Sequence, residues 1–238
     1  MGTLYTIATP IGNLEDITLR AIRLLKEVNL ILCEDTRVTK RLLTHYQITT
    51  PTRPYHQHSS QQTETWVISQ LQSGQNIALV SDAGTPTISD PGARLVSAVI
   101  ATGGTVTPIP GPSALITALQ AAGVDTSQFT FYGFLPHKKG RQTLLQQIAA
   151  ADHTVVFYES IHRLEKAISA LADSGKYIVV ARELTKTFEE FIRGRADVVA
   201  KKVSTHPTLK GECVVIVSPD RSETLAGDIA TPRSRAHQ

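Results

Sequence analysis

Acidic side chains follow two apolar runs that have the length of buried strands. Glu34 and Asp35 come directly after Leu30–Cys33. Asp82 comes directly after Ile77–Val80. Adjacent carboxylates suit general acid–base chemistry, in which one side chain takes up or donates a proton. Carboxylates at the start of a helix are also typical of caps that interact with the helix dipole. The sequence leaves both interpretations of the Glu34–Asp35 pair open.

A long polar loop at residues 81–92 separates the run Ile77–Val80 from a helical pattern over 93–100. It contains two glycines, two prolines and two aspartates, Asp82 and Asp90. Its length is unusual for a strand-to-helix connection. Ligands of open α/β sheets bind at the carboxyl ends of the strands. We expect this loop to line a ligand site, and an ordinary turn without a ligand is the alternative.

Basic and imidazole groups supply further candidates. Lys138, Lys139 and Arg141 lie in one loop and either face solvent or contact phosphate groups. His56 and His58 have the chemistry of metal ligands, but no third ligand follows at a suitable spacing. We therefore interpret them as loop histidines and expect no metal.

The composition is that of a soluble globular chain and favours no single partner. The 238 residues are 41% hydrophobic and 19% charged, and the net charge of +3 permits an anionic partner without requiring one. Aromatic residues make up 5%, which argues against an extensive base-stacking platform. Cys33 and Cys213 stand in apolar runs and are expected to be buried free thiols. Without a signal peptide or a membrane-length apolar run, a cytoplasmic protein is expected.

Three common nucleotide and nucleophile motifs are missing from the sequence. No G-x-G-x-x-G follows the first strand, and no G-x-x-x-x-G-K-[ST] is present. Residues 111–115 resemble a nucleophile elbow but lack its second glycine. These absences argue against a dinucleotide-binding fold, a P-loop NTPase and an α/β-hydrolase.

Strands and helices alternate in the first half, which predicts a parallel sheet in an α/β fold. The predicted strands cover 3–8, 30–33, 77–80 and 105–109, and Asp16 is the predicted N-cap of the first helix. Loops 9–13, 81–92 and 110–113 each follow a strand. Because the carboxyl ends of parallel strands share one edge, we expect these three loops to converge.

The pattern changes at residues 123–128, where we place a domain junction. The predicted domains are 1–122 and 123–219, both α/β, followed by a polar tail at 220–238 that we expect to be disordered. In the second domain the predicted strands cover 129–134, 154–158, 177–181, 189–193 and 213–217, with helices between most of them.

Eight short segments together resemble the tetrapyrrole-methylase superfamily. More narrowly, they resemble its bacterial 16S ribosomal RNA (cytidine-2′-O)-methyltransferases. The segments are TPIGNLEDIT at 9–18, EDTR at 34–37, SDAGTPTISDPG at 81–92, PGPSA at 110–114, GFLP at 133–136, YESIHR at 158–163, ARELTK at 181–186 and GE at 211–212. They occur in order from residue 3 to about 217. Each is weak alone, and their combination is specific.

The resemblance implies two α/β domains with S-adenosyl-L-methionine (SAM) in the cleft between them. The implied cofactor-binding residues are Pro10, Ile11, Asp82, Ala83, Gly84, Thr85, Ser113 and Ala114 from the first domain, and Tyr158, Arg182, Gly211 and Glu212 from the second. It also implies 16S ribosomal RNA in the small ribosomal subunit as substrate, and a homodimer. Family members often carry a further carboxy-terminal helical segment, and a short polar tail stands in its place here.

The implied reaction is in-line methyl transfer from a sulfonium to a ribose 2′-oxygen. A ribose hydroxyl is a poor nucleophile until it loses its proton, so a general base is expected. Glu34 and Asp35 are the first candidates, and Glu183 and Lys186 are alternatives. Arg37, Lys138, Lys139 and Arg141 are the candidates for holding RNA phosphates.

Two other functions compete with this interpretation. A methylase of a tetrapyrrole precursor would use the same scaffold on a small molecule. A nucleic-acid-binding module without catalysis would not bind SAM at all. The segments 34–37 and 182–186 favour the RNA enzyme.

Overall fold

A computed structural model describes residues 1–207 and 210–219 of the chain. By its internal contacts the chain divides into two units. Unit 1 comprises Met1–Thr117 and Leu184–Thr187, and unit 2 comprises Ala118–Glu183 and the described residues from Phe188 onwards. The division at 122/123 in the sequence stays a prediction, and the predicted disordered tail lies outside the described residues.

Unit 1 contains a five-stranded parallel sheet, as the strand–helix alternation predicts. The strand order is β3-β2-β4-β1-β5. The strands are β1 (Thr3–Ile7), β2 (Leu30–Cys33), β3 (Thr52–Pro54), β4 (Ile77–Val80) and β5 (Thr105–Ile109). The helices are α1 (Leu19–Glu27), α2 (Thr36–His45), α3 (Gln61–Gln72), α4 (Ala93–Ala101) and α5 (Ala114–Ala122), the last of which crosses into unit 2.

The core of unit 1 lies on both faces of this sheet. Successive strand residues point to opposite faces, so Ala78 and Val80 pack with α1 and α2, whereas Ile77 and Leu79 pack with α3 and α4. All four residues of β4 are therefore buried, which explains their continuous apolar run. Helices on both faces leave the carboxyl edge of the sheet open to the loops.

Unit 2 contains a five-stranded mixed sheet with the order β6-β7-β10-β8-β9. Strands β6 and β7 are parallel, and the other three pairs are antiparallel. The strands are β6 (Phe129–Phe134), β7 (Thr154–Ser160), β8 (Tyr177–Arg182), β9 (Glu190–Arg195) and β10 (Glu212–Ser218). Its helices are α6 (Arg141–Ala150), α7 (Ile161–Ser169) and α8 (Ala196–Ser204), which share one core with the sheet.

The predicted α/β class is confirmed, and three local predictions need correction. Asp16 is not the N-cap of α1: it ends a 3-10 turn, Leu14–Asp16, and Thr18 caps the helix by accepting from the Ala21 amide at 3.1 Å. Strand β3 is missing from the sequence-based assignment because Pro54 reads as a breaker, yet an edge strand tolerates proline. The strand predicted at 189–193 lies at Glu190–Arg195.

Candidate active site

The three loops predicted to converge do so at the carboxyl edge of the unit 1 sheet. Thr9 and Gly84 exchange two backbone hydrogen bonds of 2.9 Å, which join loop 9–13 to loop 81–92. The Thr85 hydroxyl donates to the Pro112 carbonyl at 3.0 Å and joins the third loop. The Ser81 hydroxyl donates to the Gly84 carbonyl at 3.1 Å. These bonds fix the backbone around the predicted residues Asp82, Ala83, Ser113 and Ala114.

Gly84 leaves a space between these loops that a side chain would fill. Its φ is +79°, and a Cβ there would lie 3.4 Å from Ile11 Cγ2 and 3.9 Å from the Pro112 carbonyl oxygen. Ile11 and its neighbour Pro10 are half-buried beside this space. The predicted first-domain residues therefore come together as one group in unit 1.

The segment Leu184–Thr187 packs against loop 9–13. A Cβ at Gly12 would lie 2.6 Å from Lys186 Cγ and 2.8 Å from Thr185 Oγ1, so only glycine permits this approach. Lys186 thus belongs to unit 1, near the converging loops. Glu183 is placed in unit 2, where its Oε1 lies 2.5 Å from the position of a Cβ at Gly211.

Glu34 and Asp35 differ in their surroundings although they are adjacent. Asp35 accepts from the Arg37 amide at 2.8 Å and forms a 2.7 Å ion pair with its guanidinium. The hydrogen bonds from Arg37 lower the pKa of Asp35 to about 2. Burial and the charges of Asp82 and Asp35 raise the pKa of Glu34, although His56 opposes that shift. The capping interpretation is correct for Asp35. For Glu34 the pKa is shifted upward, and its catalytic role stays a prediction.

Asp82 holds the end of β2 in place. Its Oδ1 accepts a 2.9 Å hydrogen bond from the Asp35 amide. The carboxylate therefore positions the Glu34–Asp35 turn next to loop 81–92.

A cleft of about 440 Å³ opens beside Glu34 in unit 1. It is lined by Glu34, by residues 55–57 after β3 and by residues 89–94 up to the first turn of α4. Neither this cleft nor Arg94 was predicted from the sequence. His56 follows the end of β3 as Glu34 follows the end of β2, but this similarity could not be used because β3 was not predicted from the sequence.

The second-domain candidates lie together at one end of the unit 2 sheet. Tyr158 pairs with Val214 in register, and Arg182 pairs with Cys213 next to Gly211 and Glu212. Arg182 is buried, and its Nε donates to Glu190 at 2.6 Å. The ring of Tyr158 contacts Phe131 and Phe134 edge-on, with centroids 4.9 and 5.4 Å away.

The basic loop before α6 divides into exposed and buried charges. Lys138 and Lys139 are exposed. Arg141 is not solvated: its side chain is 14% exposed and forms a 2.6 Å ion pair with the fully buried Glu159. Arg163 binds the other oxygen of Glu159 at 2.8 Å. The solvent-facing alternative for Arg141 is therefore wrong.

Left-handed backbone occurs at several non-glycine residues of these segments. Among the described residues, positive φ values occur at Thr87 (75°), Ser89 (62°), Glu183 (48°) and Thr185 (65°), besides Gln47 (52°). This conformation is costly for β-branched residues such as threonine. Four of the five strained residues thus lie in segments 81–92 and 181–186.

Three further properties concern residues 1–207 and 210–219. No group of three His, Cys, Asp or Glu side chains in this part of the chain is arranged to hold a metal ion. No helix there is both long and apolar enough to cross a membrane. Cys33 and Cys213 are buried free thiols, as expected.

Solved structures with this fold include several methyltransferases. The chain matches cobalt precorrin-4 methyltransferase with a TM-score of 0.67 and 16% identity, over 91% of this chain and 94% of that one. It matches diphthine synthase with a TM-score of 0.68 and 14% identity, over 92% and 90%. Uroporphyrin-III C-methyltransferase from Thermus thermophilus, complexed with S-adenosyl homocysteine, gives 0.64 and 17%, over 91% and 97%. At these identities the likeness shows the shared fold.

Sequence relatives are closer. Proteins named ribosomal RNA small subunit methyltransferase I are 48% identical in Halalkalibacterium halodurans, over 91% of this chain and 75% of the relative, and 49% identical in Synechocystis, over 91% and 79%. The relative in Pseudomonas aeruginosa is 44% identical over 95% and 84%. The profile of the Tetrapyrrole (Corrin/Porphyrin) Methylases matches residues 3–200. The chain therefore belongs to the tetrapyrrole methylase family.

Proposed function

We propose that this protein is a SAM-dependent methyltransferase that methylates the ribose 2′-oxygen of a cytidine in 16S ribosomal RNA. The observation that carries the proposal is the identity of 44–49% to several ribosomal RNA small subunit methyltransferases I over at least 91% of this chain. The solved tetrapyrrole methylases share the fold at 16–18% identity, so they do not favour a tetrapyrrole substrate.

The converging loops of unit 1 suit SAM, a cofactor without phosphate groups. They present backbone amides and carbonyls, the Thr85 and Ser113 hydroxyls, and the space that a Cβ at Gly84 would occupy. When bound, the cofactor supplies an electrophilic methyl group on a sulfonium. We assign Pro10, Ile11, Asp82, Ala83, Gly84, Thr85, Ser113 and Ala114 to holding it. The roles of Tyr158, Arg182, Gly211 and Glu212 stay predictions from the resemblance.

Glu34 is our choice for the general base. Its pKa is raised by burial and by Asp82, so its carboxylate accepts a proton more readily than an ordinary one. The pKa of Asp35 is lowered to about 2 by Arg37: its Oδ1 caps α2, and its Oδ2 accepts from the Arg37 guanidinium. Glu34 takes the hydroxyl proton, while Asp35 and Asp82 hold the turn that carries it.

The alternative bases have less support. Lys186 lies against Gly12, and a lysine acts as a base only when its ammonium loses a proton. Glu183 lies next to Gly211 in unit 2. We therefore assign both to shaping the loops around them.

Lys138 and Lys139 are our candidates for contacts with RNA phosphates. Both are exposed on a loop that Arg163 anchors by donating to the Leu135 carbonyl at 3.2 Å. We expect a weaker phosphate contact from Arg141, because its guanidinium is mostly buried and already forms an ion pair with Glu159. Arg37 is exposed but paired with Asp35, so we expect a weaker contact there.

Methyl transfer to isolated small ribosomal subunits tests the proposal. Labelled SAM is incubated with subunits from cells that lack this protein, and with a porphyrinoid as the competing acceptor. We expect label in 16S RNA, at one cytidine that becomes resistant to alkaline cleavage. Label in the porphyrinoid alone would contradict the proposal.

Two further properties are proposed from the resemblance and the substrate. We propose a homodimer, which sedimentation equilibrium would detect as twice the chain mass of 25.9 kDa. We also propose a cytoplasmic location, because ribosomal subunits are the substrate; cell fractionation tests it.

A further inference from the structure

The cleft beside Glu34 has the size and the lining of a binding site for one nucleotide. Its volume of about 440 Å³ lies in the range of small-molecule sites. Its walls come from the end of β2, the segment after β3, loop 81–92 and the start of α4. Glu34 and Arg94 both contribute to this lining.

Arg94 is held in place although 63% of its side chain is exposed. Its Nη2 forms a 2.8 Å ion pair with Oε1 of Glu64, a carboxylate that is 10% exposed. The Tyr55 hydroxyl donates to the same oxygen at 3.0 Å. A guanidinium has five N–H donors, so this ion pair leaves donors for a second oxyanion. A buried carboxylate thus orients the arginine at the cleft before any ligand arrives.

The first turn of α4 adds a second group of donors to the same wall. Gly92 is its N-cap and offers no side-chain hydrogen bond to the helix amides. A Cβ at Gly92 would lie 2.6 Å from Leu79 Cδ2, so no side chain is accommodated there. The amides of a helix start attract anions, and here they adjoin Arg94.

We propose that this cleft receives the acceptor nucleotide of the RNA, with its ribose at Glu34 and its phosphate at Arg94 and the start of α4. The inference rests on the proposed function, since it names the acceptor subsite for that reaction. It also explains why a carboxylate and a fixed cation line the same cleft.

The Arg94→Gln variant tests the phosphate contact. We expect the KM for small ribosomal subunits to rise by about tenfold or more, because one charge-assisted hydrogen bond is lost. We expect kcat and the Kd for SAM to stay unchanged. The slope of log KM against log salt concentration should fall by about 0.7, the value of one phosphate contact on single-stranded RNA. Arg94→Lys should restore the slope.

Arg23→Gln is the matched control. Arg23 is also an exposed arginine paired with a glutamate, Glu27, but it lies on α1 outside the cleft. It should leave KM and the salt slope at the wild-type values. Thermal unfolding of each variant separates loss of fold from loss of contact.

The outcomes distinguish this inference from the proposed function. Active Arg94→Gln with wild-type KM and salt slope would overturn the cleft assignment and leave the methyltransferase intact. A wild-type protein inactive on small subunits would overturn the proposed function. The cleft is then judged on the wild type by titration with cytidine 5′-monophosphate. We expect the imidazole resonances of His56 to shift, and unchanged resonances would reject the subsite.

Discussion

Glu34 and Asp35 show how two adjacent carboxylates acquire different properties from their neighbours. Arg37 supplies hydrogen bonds and a charge that lower the pKa of Asp35, whereas burial and the charge of Asp82 raise the pKa of Glu34 against the opposing effect of His56. A carboxylate that is easily protonated is useful as a base and costly for folding. The environment that makes Glu34 a better base therefore lowers the stability of the folded protein when Glu34 is ionised.

Replacing Glu34 by glutamine should lower kcat by at least about 100-fold, which is the usual contribution of a general base. Asp35→Asn is the matched control, since asparagine is an equally good N-cap, and it should retain most of the turnover. Steady-state methyl transfer to small subunits measures both. Equal losses in the two variants would assign the proton transfer to the pair instead of Glu34.

The raised pKa of Glu34 also predicts how pH acts on the wild type. Because the folded protein binds this proton more tightly than the unfolded chain does, stability falls as pH rises from the ordinary value of 4.5 through the raised pKa. The rate of methyl transfer rises over the same window as the base is freed. Urea unfolding against pH should show the Glu34→Gln variant gaining stability relative to wild type above this window. A gain that is independent of pH would refute the assignment.

At the scale of elements, the start of α1 depends on a hydroxyl. Thr18→Ala should cost about 1 kcal/mol of unfolding free energy, because the Ala21 amide loses its acceptor. Asp16→Ala should cost far less, since Asp16 is exposed and lies outside the helix. Urea midpoints at constant m-value measure both. A larger loss of unfolding free energy in the Asp16 variant would support Asp16, the residue predicted from the sequence, as the N-cap of α1.

The ion pairs of Glu159 join β7, α6 and α7 and should dominate the local stability of unit 2. Glu159→Gln should cost about 3 kcal/mol, because two arginines that are 14% and 18% exposed lose their counter-ion. The exposed i,i+4 pair Arg23–Glu27 is the control, and Glu27→Gln should cost about 0.5 kcal/mol or less. Calorimetric unfolding compares them. Similar losses of unfolding free energy in the Glu159 and Glu27 variants would show that burial does not strengthen the ion pairs of Glu159.

At the scale of the whole molecule, each unit carries one buried thiol. Cys33 lies in the core of unit 1 and Cys213 in that of unit 2, where burial raises its pKa to about 12. Pulsed alkylation in denaturant therefore reports on each unit separately. We expect Leu25→Ala to lower the labelling midpoint of Cys33 more, and Leu164→Ala that of Cys213, because each removes about 2–5 kcal/mol from one core. Identical shifts of both thiols would show one cooperative unit.

Most strands and helices can be predicted from local apolar runs in the sequence. The features that depend on pairing between distant residues cannot. β4 and β10 are visible because every residue of Ile77–Val80 and nearly every residue of Glu212–Ser218 is buried. The antiparallel strand pairs of unit 2 could not be predicted from the sequence, because alternating strands and helices are typical of a parallel sheet. Arg141 and Glu159 meet through the packing of α6 on β7, which no spacing rule indicates. The site loops could be predicted as loops, whereas the cleft beside Glu34 depends on the segment after β3 and the start of α4, which lie together only in the folded chain.

The left-handed threonines at 87 and 185 have a consequence for anyone who engineers this protein. A redesign of the sequence for heat tolerance would place glycine at both positions, because glycine adopts φ values of 75° and 65° without a Cβ clash. Such a protein would melt at a higher temperature and would lack two side chains beside loops 81–92 and 9–13. A mutant library meant to yield a stable RNA-labelling reagent should therefore keep Thr87 and Thr185. Glycine is better placed at Gln47, which has the same left-handed backbone conformation just after α2.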